Sequence, residues 1–570
     1  MKIKEFKSKI FTWLNEPKWL NRLALYSSLG AVIIVVLHIV FAYFGFLHTD
    51  VDSARYMLSA LVQGEAAIVA LVVTLSLVAV QLAAQSYSAR VIEVFRRTPD
   101  LWILMGIYGV AIFYGLGVLK MIEKAEPQVN SLSNLEGHIA FSYYLGVFAF
   151  VALAPYIWNI LDLLKPSILI NVLAEKISKE NIQSGIRVEN EEAIDLIIVG
   201  TEKDPFPPVI DIIRGALDKY DYETAREGLK AIGYRVNDVF RNGDFKGIEE
   251  KKISKHIFTQ FTRIGKMAAG KNNEDSALEV ITNLQKIGET TINGGFGEAT
   301  RQIVDSLGAV GTTAAEKELE DVIKRTTQSL ELVGTSAAKH NLQYATKQAA
   351  TALANIGKTT AENKFEDATR QVVWSLGEIG RAAAEENIEF ATKEAAGSLE
   401  IIGLVTIKYK LNMARDTAKS LKEIGFASLK YNLLNATVLT INYSLGRVGK
   451  ASAKQGLEDA TTEAIFSLKE VGIVAAKHKP ERTVAMNELK LLGIAAEPKL
   501  EDITLQAIFL IEEIGIVAVE NGLKNVALQA ITYLKEVLGA AKEQKFEKAT
   551  QRAAEAINRL NEVLKKLENK

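Results

Sequence analysis

The chain has 570 residues, 67 Lys and Arg against 68 Asp and Glu, and 48% hydrophobic side chains. That near-neutral balance provides no basic surface for nucleic acid, and the absence of Cys excludes disulfides, thiol catalysis and thiolate metal ligands. The averages conceal two halves. Four of the five Trp and the long apolar runs fall in residues 1–165, whereas 222–570 are rich in Ala, Lys, Glu and Gly.

Residues 1–22 (MKIKEFKSKIFTWLNEPKWLNR) interleave Lys with Ile, Phe, Trp and Leu at helical spacing, the pattern of an amphipathic helix lying on a membrane surface. A signal peptide fits less well, because no small-residue cleavage site follows. Four hydrophobic spans come next, near 23–47, 64–84, 101–122 and 138–164, each close to or above the ~20 residues that cross a bilayer. Six Lys and Arg precede the first span. Arg90, Arg96 and Arg97 lie between the second and third spans, and Lys165, Lys176 and Lys179 follow the fourth. The other two connections hold few bases beside Asp50, Asp52, Glu123, Glu126 and Glu136. The positive-inside bias therefore predicts a plasma-membrane protein with cytoplasmic N- and C-termini. Trp13, Trp19, Trp102 and Trp158 then fall at the cytoplasmic interface.

The stretch from Asp52 to Arg97 contains no Pro and only Gly64, which predicts one unbroken helix of roughly 65–70 Å. At 100° per residue Asp52, Tyr56, Ser59, Gln63, Ala67, Ala70, Thr74, Gln81, Gln85 and Ser88 share one stripe. Amides inside a bilayer must face protein or water, so two readings fit: a helix–helix seam, or the wall of a pore in a ring of subunits. They coexist if the seam is a subunit contact beside the pore. The pore-lining candidates are Asp52, Ser59, Gln63, Thr74, Gln81, Gln85 and Ser88. Elsewhere, His38 reads as a helix contact before a proton relay. Glu65, off the stripe, reads as solvated near the outer interface, and Pro155 as a kink. His48 and His138 share the outer face but make no metal site by themselves.

The run VAVQLAAQSYSAR (Val78–Arg90), followed by a basic loop and an apolar span, resembles an uncharacterised family of predicted prokaryotic membrane proteins. That family has a Gln-Leu-Ala…Ser-Pro-Arg signature after a hydrophobic helix. Gln81, Leu82, Ala83, Ser88 and Arg90 match it, Tyr87 fits its aromatic position, and Ala89 departs where the family has Pro. The resemblance covers about residues 20–220. It implies a multispan membrane protein and brings no activity.

Residues 166–221 read as a connector. PSILINVLAEKI is expected as a helix that NEEAIDLIIVG could continue, followed by a rigid Pro bend (Asp204-Pro205, Pro207-Pro208) and a further helix. From residue 222 one phrase recurs, S-L-x-x-[IV]-G. Its glycines stand at 265, 288, 311, 334, 357, 380 and 403, always 23 apart, and continue at 425, 449, 472, 493, 515 and 539. Such phasing marks a repeat array. Each unit predicts one helix of about 18–20 residues and a short turn at segments such as ENKFED, and two units have the length of a HEAT-like pair. The Gly either admits a neighbouring helix or ends its own. The last helix, from about Phe546, would cap the stack.

No catalytic motif emerges. GKTT at 357–360 lacks the glycine five positions earlier that a phosphate loop needs, the place being held by Ala352. Acidic pairs such as Glu366-Asp367, Glu458-Asp459 and Glu501-Asp502 suit helix starts before a cation site. The prediction is an all-α, non-enzymatic protein without cofactor: a four-span transmembrane domain (23–165), a connector (166–221) and a cytoplasmic α-solenoid of ~23-residue single-helix units (222–570). As function it suggests a homo-oligomeric ion channel lined by the second span, tilted toward inorganic cations by its acidic outer mouth. The rival is a membrane-anchored scaffold whose solenoid holds a soluble protein partner. A transporter would need repeats among the spans, which they do not show.

Overall fold

The computed structural model describes residues 17–44, 51–86, 99–124, 135–190, 197–245, 247–431, 433, 436–477, 497–520, 523–543 and 545–568. It comprises two compact units, Met1–Leu173 and Ala174–Lys570.

Four helices build the first unit: α1 (Pro17–Phe44), α2 (Val51–Ser86), α3 (Pro99–Lys124) and α4 (Glu136–Leu163). All four are long and apolar enough to cross a membrane. The short α5 (Pro166–Ala174) follows. Pro17–Arg22 is the start of α1 itself and not part of a separate surface helix; residues 1–16 lie outside the described residues, as do Trp13, His48 and Ser88. The helix predicted over 52–97 is observed to Ser86. α4 packs on α1, α2 and α3 and is the most buried span, 39% of its apolar window against 11% for α1. Its Ala149, Ala152 and Tyr156 join Tyr26, Val72, Leu104 and Tyr108 in one core, while Ala54, Leu58, Val118, Ile122 and Ile139 form a second. His38 meets Tyr144 edge-on, with Nδ1 3.5 Å from the phenol oxygen, which is the helix-contact reading.

The second unit opens with α6 (Lys179–Gly185) and a two-stranded antiparallel hairpin, β1 (Ile186–Asn190) and β2 (Ile197–Gly200). The helical fold class holds, and what is corrected here is the expected continuation of a helix through IIVG. IRVEN and IIVG are β-branched segments, and pairing them satisfies the ladder that a continued helix would have supplied. The Pro bend is present: Pro205 caps α7 (Phe206–Asp218), whose first turn takes Pro207 and Pro208 where no amide donor is needed. Asp204 accepts from Phe206 N–H at 3.1 Å and lies 3.0 Å from His256 Nε2, both residues buried. This pair ties the bend to α9.

The helices α8 (Tyr222–Asn242), α9 (Ile248–Gly270), α10 (Glu274–Asn293), α11 (Gly297–Glu316), α12 (Glu320–Lys339), α13 (Gln343–Glu362), α14 (Glu366–Glu385) and α15 (Glu389–Lys408) then alternate between two layers. They continue through α16 (Ala414–Lys430), α17 (Ala436–Lys454), α18 (Glu458–Lys477), α19 (Glu497–Glu520), α20 (Lys524–Glu543) and α21 (Glu547–Glu568). From α9 onward each helix packs on the helix that follows it and on the next but one, while α8 packs on α7 and α10. α19 takes the place after α18 in that alternation; the repeat glycine at 493 lies outside the described residues.

Two devices maintain the period. The first is the turn. Asn272, Gly295, Glu318, Asn341, Lys364, Asn387 and Lys410, again 23 apart, hold positive φ at helix ends. The residue after each sends its N–H back five positions, as Phe365 does to Thr360 O at 2.9 Å, closing a Schellman motif. At Phe296, Leu319, Leu342, Phe365 and Ile388 that residue is also the next helix's N-cap, so an apolar side chain replaces a capping hydroxyl and is buried or half-buried instead, Ile388 at 2% exposed, whereas Asn273 keeps a side-chain cap and accepts from Ser276 N–H at 2.9 Å. The second is the repeat glycine, which sits inside its helix and seats a β-branched side chain from the helix next but one. A Cβ at Gly311 would lie 2.5 Å from Ile356 Cδ1, at Gly334 2.8 Å from Ile379 Cδ1, and at Gly357 2.5 Å from Ile402 Cδ1. The glycine admits a neighbouring helix. Hydroxyls of the same phrase bond across the same interval: Ser306 with Thr262 (2.8 Å), Ser329 with Gln285 (3.0 Å), Ser375 with Glu331 (2.8 Å) and Ser444 with Glu400 (2.8 Å).

The acidic pairs at 366–367 and 458–459 occupy first turns, as expected. Glu501 instead lies a turn inside α19, where it caps α21 by accepting from Lys548 and Ala549 N–H at 2.8 and 3.2 Å. Glu250 caps α11 the same way, from Glu298 and Ala299 N–H at 2.9 and 3.0 Å. Burial pushes the Glu250 carboxyl up, against the pull of those two amides.

Candidate functional site

The functional signal of the sequence lies in α2, and the fold decides which way that helix faces. Ala54, Leu58, Val62, Glu65, Val72, Ser76 and Ala79 are buried against α3 and α4. Their spacing of three, four and seven is one helical face. The polar stripe is on the other side. Asp52, Gln63, Thr74, Gln81 and Gln85 are exposed and Ser59 is half-buried, so the structure brings none of them against its own bundle. Thr74 returns its hydroxyl to Ala70 O at 2.8 Å, and Gln63 donates to Ser59 Oγ at 3.3 Å. Both bonds are local and leave the amides of Gln81 and Gln85 on the outer surface of this one chain. The stripe is therefore not the seam within the bundle.

The buried face of α2 carries what the sequence reading missed. Glu65 is 1% exposed, near the middle of the Asp52–Leu82 span, and neither carboxylate oxygen has a hydrogen-bond partner among the described residues. The expectation of a solvated glutamate is corrected: Glu65 lies on the packed face of α2, closed off from solvent by its neighbours in the bundle. Its carboxylate lies against Gly146 of α4, where a Cβ would approach Oε1 to 2.9 Å. The register of Glu65 with Leu58, Val62 and Val72 was the available sign.

A second polar group ties the bundle at the other end. Asp100, in the first turn of α3, is 1% exposed and accepts from Tyr26 Oη at 3.2 Å and Asn159 Nδ2 at 2.8 Å, with Arg22 Nη1 at 3.6 Å. Three helices thus converge on one carboxylate. Ser76 of α2 bonds the Tyr156 hydroxyl of α4 one layer deeper. Asp100 stands just before the span read from residue 101, and its role depends on what α1 and α4 bring to it. Trp102 and Trp158, 54% and 73% exposed, flank this end, and Trp19 is buried. His138 takes a 2.8 Å contact from the Tyr114 hydroxyl, and no cluster of potential metal ligands occurs among the described residues. GKTT lies inside α13.

A search of curated proteins returns no match. Among solved structures the chain is similar to a "Circular tandem repeat protein with novel repeat topology and enhanced subunit contact surfaces", at 13% identity and a TM-score of 0.26, over 82% of this chain and 98% of that one. Residues 20–206 match the model of a family described as a predicted membrane protein (DUF2254), which spans the four membrane helices, the hairpin and the Pro bend. With its four spans and its run of repeats, the chain is a membrane protein carrying a helical-repeat domain.

Proposed function

We propose that the protein is a homo-oligomeric ion channel of the plasma membrane, with both termini cytoplasmic and α2 lining the pore. One observation supports this reading: the stripe from Asp52 to Gln85 is turned away from α3 and α4 while the opposite face of α2 is packed. Amides at mid-membrane are stable against water or protein, not lipid. A second copy of the chain, with a water-filled path between copies, gives Thr74, Gln81 and Gln85 that surroundings. One helix per subunit encloses nothing, so several copies are needed. Asp52 at the outer end favours inorganic cations. The repeat domain would then assemble around the inner mouth and shape access. It needs no cofactor and no catalysis.

A scaffold is the second reading. It draws on aromatic side chains left on the solenoid surface, Trp374 at 56% and Tyr344 at 74% exposed, which suit a soluble protein partner. The deciding experiment is current through the purified full chain in a planar bilayer, beside Gln81→Leu. Discrete openings that the variant alters are the expected result. Silence from folded protein under varied voltage, calcium and tension would overturn the channel and leave the scaffold, whose spans should be exchangeable for another anchor.

A further inference from the structure

Besides the Tyr143 hydroxyl, three polar side chains of the membrane bundle are left unanswered by its own contacts. Both oxygens of Glu65, the hydroxyl of Tyr108 and the hydroxyl of Ser142 are buried without a hydrogen-bond partner among the described residues; Glu65 and Tyr108 are each 1% exposed and Ser142 2%. They belong to three helices, α2, α3 and α4, and sit together. Glu65 abuts Gly146, Ser142 is one turn before Gly146 on the same face of α4, and the Tyr108 phenol is within electrostatic reach of Glu65. A Cβ at Gly115 of α3 would stand 3.4 Å from Ser142 Oγ and 2.7 Å from Val62, so that glycine keeps α3 close to this layer.

The charge balance is one-sided. No Lys, Arg or His occurs on α3 between Asp100 and Lys120, nor on α4 between His138 and Asp162. The nearest bases on those helices are at their ends, and on α1 His38 is engaged with Tyr144. Arg22 and Asp100 satisfy each other. A bare carboxylate buried in a membrane bundle costs several kcal/mol, in the range of ~2.5 upward, and among the described residues no cation bonds to it, the base on its own helix, Arg55, standing about three turns away along the chain. It does supply oxygen ligands. A carboxylate and two hydroxyls on three mutually packed helices offer oxygen donors that suit a hard monovalent cation, and the same carboxylate is neutralised as well by a proton.

We propose that Glu65, Tyr108 and Ser142 form an intramembrane site that takes up one positive charge, a proton or an alkali cation. The site lies on the packed face of α2, opposite the polar stripe, and does not rest on the channel reading. Occupancy neutralises Glu65 and holds α2, α3 and α4 together; loss of the charge loosens their contact.

The test uses the full chain in detergent, with Glu65→Gln as a neutral isostere of the protonated acid. Melting is followed from acidic to alkaline buffer in choline, potassium or sodium chloride. The wild type should lose stability relative to Glu65→Gln as the pH rises in choline. Restoration by sodium or potassium identifies an alkali cation, and its absence identifies the proton. Dicyclohexylcarbodiimide assigns the residue: it adds to a protonated carboxyl, takes that proton on nitrogen, and rearranges to a stable N-acylurea. Modification of the Glu65 peptide should fall about tenfold per pH unit once the acid ionises, and alkali protection should weaken in Tyr108→Phe and Ser142→Ala. Those two variants keep the test open if Glu65→Gln fails to fold. A wild type whose melting tracks Glu65→Gln across pH and salt, or tracks both hydroxyl variants in their place, overturns the site.

Discussion

The membrane bundle and the solenoid use polar groups in opposite ways. In the solenoid four hydroxyls of the repeating phrase have a partner on the helix next but one, and the interval recurs: 262 with 306, 285 with 329, 331 with 375, 400 with 444. Stability there is a sum of near-identical neighbour terms, as in other repeat arrays. In the bundle the polar groups are few and unlike one another. One carboxylate, Asp100, is engaged by side chains of two other helices; another, Glu65, has no partner among the described residues; and a polar stripe faces away from the fold.

The sharpest way to break this comparison is at a repeat glycine. Gly311→Val would drive its side chain into Ile356 and Thr326, and should cost about 3 kcal/mol through overpacking, read by chemical unfolding of the full chain. Shortening the intruding partner as well, Gly311→Ala with Ile356→Val, should recover part of the loss in a double-mutant cycle. Additive losses would show that the seat is not shared. In the bundle, Asp100→Ala should cost about 2 kcal/mol, because it leaves the Tyr26 hydroxyl and Arg22 buried or half-buried without their acceptor. Helix separation measured between labels on α1 and α4 should increase in parallel.

The smaller effects sharpen the same contrast. Gly397 lies six residues before Gly403 in α15, yet a Cβ there meets nothing within 4 Å. Gly397→Ala should therefore stabilise by about 0.5–1 kcal/mol, while Gly403→Ala, facing Thr417 and Val448, should destabilise. Equal signs would mean that the glycines serve backbone freedom and not packing. Glu331 gives the smallest effect. Burial first, and then the Glu378 charge, raise its carboxyl above the ordinary value, although Ser375 pulls the other way. A raised folded value stabilises the protein below the unfolded carboxylate range and loses that contribution as the pH rises through the folded value. Glu331→Gln, which keeps an acceptor for Ser375, should remove that slope and leave neutral-pH stability unchanged or slightly higher.

Much of this architecture is written in local patterns. Span length and hydropathy depend only on consecutive residues, so four membrane helices are legible without any partner. The 23-residue phase is also local: one helix and one turn repeat because residues such as Asn341, Lys364 and Asn387 return to positive φ at the same place. The hairpin at 186–200 was not legible, since IIVG fits a buried helix as well as a strand until IRVEN lies beside it. The periodicity of α2 displays its two faces but not which one the bundle takes, and so it does not show that Glu65 is buried. The repeat glycine was likewise ambiguous until Ile356 was found in the seat of Gly311. The sequence by itself determined the elements and their period, because those follow from short-range sterics and hydrophobicity. Only the tertiary structure decided which faces meet and which carboxylate is left without a partner, because those depend on residues far apart in the chain.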